Sequence, residues 1–201
     1  MTRKTTKERK KEIVEATLDL VGEKGIGSLG TSQIADRVGF SEAAIYKHFS
    51  SKKEVIRATI QTAGKNLIET LTGSIKNVDT DDNLVKLKKV FESHMKFIGD
   101  YPGITRLLFS DEIHFNEEDL RNDLFNIVTR YRSIIKDLLE QGIEKGQVRN
   151  DLDLDSAFTF YFGMIQSQIL FWSLTGGEES LEDQASELWK LFRKLVAVRG
   201  A

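Results

Sequence analysis

Ser41-Glu-Ala-Ala-Ile-Tyr-Lys-His-Phe49 gathers side chains that could read a nucleic acid. In a helix over residues 41 to 49, Ile45 and Phe49 fall four apart on one face and turn inward. Glu42, Ala43, Ala44, Tyr46, Lys47 and His48 are then left outward. Short residues at the start would let backbone approach a groove, and hydrogen-bonding and cationic groups would follow. An ordinary surface helix has the same spacing, so residue types alone leave both readings open.

Such a helix needs elements to hold it. Thr5 and Glu8 make a capping box that opens a first helix burying Ile13, Ala16, Thr17, Leu20 and Val21 and ending in Gly22-Glu-Lys-Gly25. A second helix, which Thr31 can cap, turns Ile34, Ala35 and Val38 inward and stops at Gly39, a residue able to take the left-handed conformation. Ser41 caps the third. Ser51 and Glu54 form another capping box, predicting a connecting helix over about 52 to 71. Ala35 and Gly39 are small where helices must cross closely.

The stretch Thr31 to Val55 resembles the DNA-binding segment of the TetR/AcrR family. Thr31 opening the second helix, the Ile34-Ala35 pair, the Val38-Gly39 turn, Tyr46 and Phe49 three apart, and Lys52 at the start of the connecting helix carry the likeness. It covers roughly residues 9 to 56. Gly30 departs from the threonine common in that family. The resemblance implies that Thr31, Tyr46, His48 and Lys52 touch phosphates, while Ser41, Glu42, Ala43, Ala44 and Lys47 sit near base edges. For Glu42, a role in stabilising its helix's N-terminus is favoured over a contact to cytosine.

The rest of the chain predicts a helical bundle, so the fold class expected is all-α. One domain, residues 1 to 52, is expected to be a three-helix helix-turn-helix module; the resemblance implies that the other, residues 53 to 201, binds an effector and dimerises. Leu120, Leu124, Ile127, Val128, Tyr131, Ile134, Ile135 and Leu138 form one apolar stripe, closed by Gly142 and Gly146. Another, from Leu84 to Ile98, runs up to Tyr101-Pro-Gly103, where a break is expected. By the resemblance, the last two helices, about 153 to 174 and 180 to 198, pair with their mates in a homodimer. Ile165, Ile169, Trp172, Leu188, Phe192 and Leu195 are available for that seam. The resemblance also implies a small-molecule pocket, for which Phe91, His94, Met95, Phe109, Phe158, Tyr161 and Phe162 are candidates; a histidine on an apolar face such as His94 is more often a hydrogen-bonded core residue.

By the resemblance the protein is expected to be a DNA-binding transcriptional regulator on a palindromic double-stranded operator and, as is that family's commoner habit, a repressor, released by a small apolar ligand. The alternative is a DNA-bound factor of the SlmA nucleoid-occlusion type, whose recognition helix and Tyr101-Pro-Gly-Ile-Thr-Arg-Leu-Leu108 segment are similar and whose bundle binds a protein partner. A closed apolar cavity would favour the first, an exposed groove over a filled core the second.

Composition fits. Residues 1 to 55 hold 11 basic and 8 acidic side chains, the remainder 18 and 23, so the basic excess lies at the reading end. Arg3, Lys4, Lys7, Arg9, Lys10 and Lys11 would suit an arm along phosphates, or simply a solvated terminus. The chain has no cysteine. With no apolar run of signal-peptide or membrane-spanning character, a cytoplasmic protein is expected, with no membrane association. Gly25-Ile-Gly27-Ser-Leu-Gly30 matches GxGxxG but follows a helix, not a strand, and carries no dinucleotide. Asp111, Glu112, His114, Glu117 and Glu118 lack any metal-binding spacing. No metal, cofactor or catalytic residue is expected, and the protein is not an enzyme.

Overall fold

Thr5 begins the first helix through its predicted box: its hydroxyl accepts from Glu8 N at 3.3 Å, and Glu8 Oε2 accepts from Thr5 N at 2.6 Å. The computed structural model describes residues 5–108, 110, 111, 113, 117–176 and 180–198. Its helices are α1 (Thr6–Lys24), α2 (Thr31–Val38), α3 (Glu42–Tyr46), α4 (Lys52–Lys76), α5 (Asn83–Asp100), α6 (Pro102–Leu108), α7 (Glu118–Glu144), α8 (Leu154–Leu174) and α9 (Leu181–Val196). The described residues hold no strand, and the expected all-α class holds.

Several boundaries differ from expectation for local reasons. Gly30, not Thr31, is the N-cap of α2, and Thr31 is its first residue. The third helix is one turn, ending at Tyr46, with Lys47 and His48 in the turn that follows. The expected break at Tyr101-Pro102 is present, with α5 stopping at Asp100, and Pro102 then starts α6, since its fixed φ suits a first helical position and its missing N–H would have no helical partner. From Thr6 onward the basic N-terminal residues ride on α1, because the capping box nucleates helix there.

Two units divide the chain. Met1–Lys65 with Tyr101–Asn126 makes the first and Asn66–Asp100 with Ile127–Ala201 the second, so α4 and α7 each contribute to both. In the first unit α1 packs on α2 and α6. Gly103 makes the α1–α6 crossing possible: a Cβ there would stand 2.3 Å from the Leu18 carbonyl oxygen. Gly39 ends α2 at φ 70°, as its sequence context requires. In the second unit α9 packs on α5 and α8, with Leu181, Ala185, Trp189, Phe192 and Val196 buried at three- and four-residue spacing. Behind α7 and α9 the chain is tied by Arg149 N to Val196 O at 2.9 Å and Val198 N to Gln147 O at 3.2 Å.

Candidate nucleic-acid interface

Ile45 and Phe49 are buried, and that fixes which side of α3 faces out. Ser41, Glu42, Ala43, Tyr46 and Lys47 are exposed, and Ala44 and His48 half-buried, so the expected outward set lies on one side. Ser41 caps the helix by accepting from Ala44 N at 3.3 Å. Glu42 occupies the first turn, where a carboxylate meets the partly positive helix end.

Two residues fifteen apart are brought together here. The Thr31 hydroxyl, on the first turn of α2, lies 3.2 Å from the Tyr46 hydroxyl, at the end of α3. Tyr46 is 49% exposed, so its phenol is not a core group. No side chain caps the first turn of α2, and Gly30 N donates to Gln33 Oε1 at 3.3 Å. The N–H groups of that turn, the Thr31 hydroxyl and the Tyr46 hydroxyl form a neutral set of donors suited to a phosphate oxygen.

Lys52 stands half-buried at the first position of α4. A cation at a helix N-terminus opposes the helix dipole, a placement that an anion alongside would offset. The neighbouring Lys53 is already engaged: Glu117 Oε2 lies 2.6 Å from its Nζ and Asp119 Oδ2 3.5 Å, and the Glu117 hydrogen bond raises its pKa. His48 is half-buried, and its Nδ1 is covered and has no hydrogen-bond partner among the described residues.

Cation–π contacts seat α1 beside this face. The Arg9 guanidinium lies 4.5 Å from the Phe40 ring centre, and Lys10 Nζ 4.8 Å from that of Phe49. Lys7, Lys10, Lys11 and Arg57 line a cavity of about 520 Å³ with Glu54 as its acid. Arg37 donates to Glu23 at 2.6 Å, holding that carboxyl below its ordinary range and tying α2 to α1. Arg3 and Lys4 lie outside the described residues.

In the second unit, the described pocket candidates form a ring cluster. Phe91, His94, Met95, Phe158 and Tyr161 are buried and Phe162 half-buried, while Phe109 lies outside the described residues. Phe158 stacks on Phe162 at 5.5 Å, and Phe91 meets Tyr161 edge-on at 5.4 Å. Tyr131 completes the cluster: its hydroxyl lies 3.1 Å from His94 Nδ1, and its ring stands 5.7 Å from Phe162. Burial lowers the His94 pKa to about 4, so the imidazole is neutral. The sequence shows Tyr131 only as one member of an apolar stripe; nothing in its spacing marks it as the partner of His94.

The expected seam is divided. Ile165, Ile169 and Phe192 are fully buried within the protomer, Trp172 and Leu188 half-buried, and Leu195 39% exposed. Other apolar side chains on α8 and α9 are exposed, with Phe171 at 63%, Leu174 at 74% and Leu191 at 59%. Ile165 and Ile169 lie inside on a helix, α8, that is apolar nearly all round, so periodicity there does not separate core from outer face, and Phe192 belongs to the buried stripe of α9. Glu112 and His114 of the acidic cluster lie outside the described residues, and no metal-ligand group occurs among the described ones.

Two family models match the chain, "Bacterial regulatory proteins, tetR family" over residues 13–59 and "Tetracyclin repressor-like, C-terminal domain" over residues 80–196. The Fatty acid metabolism regulator protein of Bacillus subtilis is 26% identical over 164 residues, 80% of this chain and 81% of that protein. The nucleoid occlusion factor SlmA of Haemophilus influenzae is 28% identical over 120 residues, 59% of this chain and 54% of that factor's length. Among solved structures, the fatty acid degradation regulator FadR of Bacillus halodurans superposes with a TM-score of 0.83 at 20% identity, covering 96% of this chain and 97% of that one. FadR of Bacillus subtilis in complex with stearoyl-CoA gives 0.79 at 21% identity, covering 90% and 96%. At these identities the structural likenesses establish the fold.

Proposed function

The chain belongs to the TetR family of bacterial regulatory proteins, which makes it a DNA-binding transcriptional regulator, and on that premise we propose a repressor whose second unit binds a long-chain acyl ligand. It grips a roughly palindromic operator as a homodimer, and the ligand changes the separation of the two recognition helices. The observation that carries the DNA contact is the Thr31–Tyr46 hydroxyl pair beside the exposed face of α3. Thr31, Tyr46, His48 and Lys52 position the backbone; Ser41, Glu42, Ala43, Ala44 and Lys47 lie against base edges. The domain that does this is residues 1 to 52, with residues 53 to 201 for ligand and dimerisation.

The ligand reading is supported by two relatives, one named for fatty acid metabolism and one holding stearoyl-CoA; the rings around Tyr131 supply an apolar interior, packed ring against ring, that the ligand must part on entering. The dimer reading is supported by the exposed Phe171, Leu174 and Leu191, apolar surface that a second copy would cover. Such a regulator works in the cytoplasm and is not an enzyme; no helix among the described residues is long and apolar enough to cross a membrane. Footprinting on the DNA upstream of its own gene, followed by transcription of that template with and without palmitoyl-CoA, tests the proposal. A protected palindrome, repressed transcription and relief by the ligand are expected. Protection that no acyl ligand relieves would contradict the ligand half and turn attention to the SlmA-type reading, a protein partner on the bundle.

A further inference from the structure

Between α5 and α9 the second unit carries an open groove of about 620 Å³. Its floor is apolar, with Leu84 and Trp189 at 5% and 4% exposure. Its rim carries Lys88, Lys190, Arg193 and Lys194 against one lining acid, Asp82. That acid is engaged by backbone: Asp82 Oδ1 accepts from Leu84 N at 2.8 Å and from Val85 N at 3.3 Å at the start of α5. Lys88 and Lys190 hold Glu92 and Glu187 at 3.4 and 2.5 Å in exposed pairs within their own helices. Pairs of that kind contribute little, and a multivalent anion can displace them. Lys194 has no acidic partner among the described residues.

Trp189 is the wall between this groove and the ring cluster. Its ring stands 6.3 Å from Phe91 and 5.7 Å from Phe192. Those two rings meet Tyr161 at 5.4 and 5.1 Å. An apolar floor, a cationic rim and an aromatic partition onto interior rings together suit a molecule with one apolar chain and one anionic head.

We propose that the α5–α9 groove is the head-group site and mouth for the acyl ligand. The anionic head lies on Lys88, Lys190 and Lys194, and the chain passes beside Trp189 toward Phe91, Tyr161 and Phe192. This rests on the acyl-ligand reading above. A fatty acid and a coenzyme A thioester share the chemistry, but the first offers one carboxylate and the second several phosphate charges, so the thioester engages more of the rim.

Calorimetric titration of the full chain with palmitoyl-CoA, palmitate and free coenzyme A tests this, in wild type, Lys88→Gln/Lys194→Gln and the control Lys86→Gln/Lys96→Gln. The expected result is thioester binding that weakens about tenfold in the groove variant and not in the control, a smaller loss for palmitate, and an unchanged melting curve. Undiminished thioester binding in the groove variant, or equal loss in the control, overturns the groove and leaves the ligand reading standing. Free coenzyme A binding as tightly as the thioester overturns the chain's path beside Trp189. Wild type that binds neither acyl compound overturns the ligand reading and the groove with it.

Discussion

Tyr46 and Thr31 meet at 3.2 Å on an exposed face, so their hydroxyls can be removed with little effect on the fold. Tyr46→Phe should weaken operator binding by about 1 to 3 kcal/mol, similarly on specific and scrambled DNA, with an unchanged melting temperature. Lys47→Ala should instead narrow the difference between those two DNAs, as competition titrations would show. His94 makes a different kind of prediction, about stability. Its folded pKa of about 4 lies below the 6.5 of the free side chain. Between those values the unfolded chain takes up a proton that the folded chain refuses, so stability falls as pH drops through the window. From pH 7 to pH 5 this contributes about 2 kcal/mol of loss. His94→Leu should remove that component of the slope in urea titrations at the two pH values, though it is less stable at pH 7 because the buried Tyr131 hydroxyl then loses its hydrogen bond to the imidazole.

At the scale of elements, the crossing of α1 and α6 depends on one missing side chain. Gly103→Ala sets a Cβ against the Leu18 carbonyl, and backbone must move; a loss of about 1 to 3 kcal/mol in urea unfolding is expected, with weaker DNA binding because α1 carries Arg9 and Lys10. Much of this level was legible in the sequence. Thr5, Ser41, Asp153 and Ser180 cap helices where their residue types suggest, and Gly39 ends α2 in the left-handed conformation. Caps and glycines act through backbone within a few residues, so they can be read locally. Lys53 with Glu117 and Arg57 with Asp123 were not legible, since 64 and 66 residues separate partners that only the tertiary fold brings together. Pro102 was legible as a break, and α5 does stop at Asp100; that the same proline also opens α6 shows only in the packing of Gly103 on α1.

At the scale of the whole molecule, α8 shows where periodicity stops being informative. Ile165 and Ile169 face the protomer core and Phe171 and Leu174 face out, yet all are apolar and the sequence does not rank them. If the outward set covers a second copy, Phe171→Glu/Leu174→Glu should shift sedimentation toward the monomer while far-ultraviolet circular dichroism keeps its helical signal. Operator affinity should fall with it, since one reading head alone forfeits half the contacts. The central claim is that the first unit holds a duplex through the Thr31–Tyr46 face. The measurement that tests it most directly is operator affinity as a function of salt, for wild type beside Thr31→Ala/Tyr46→Phe. Tight binding of the dimer that weakens steeply with salt, and weakens further by about tenfold or more in the variant at every salt concentration, is the predicted result. Equal affinity of the two proteins would contradict it.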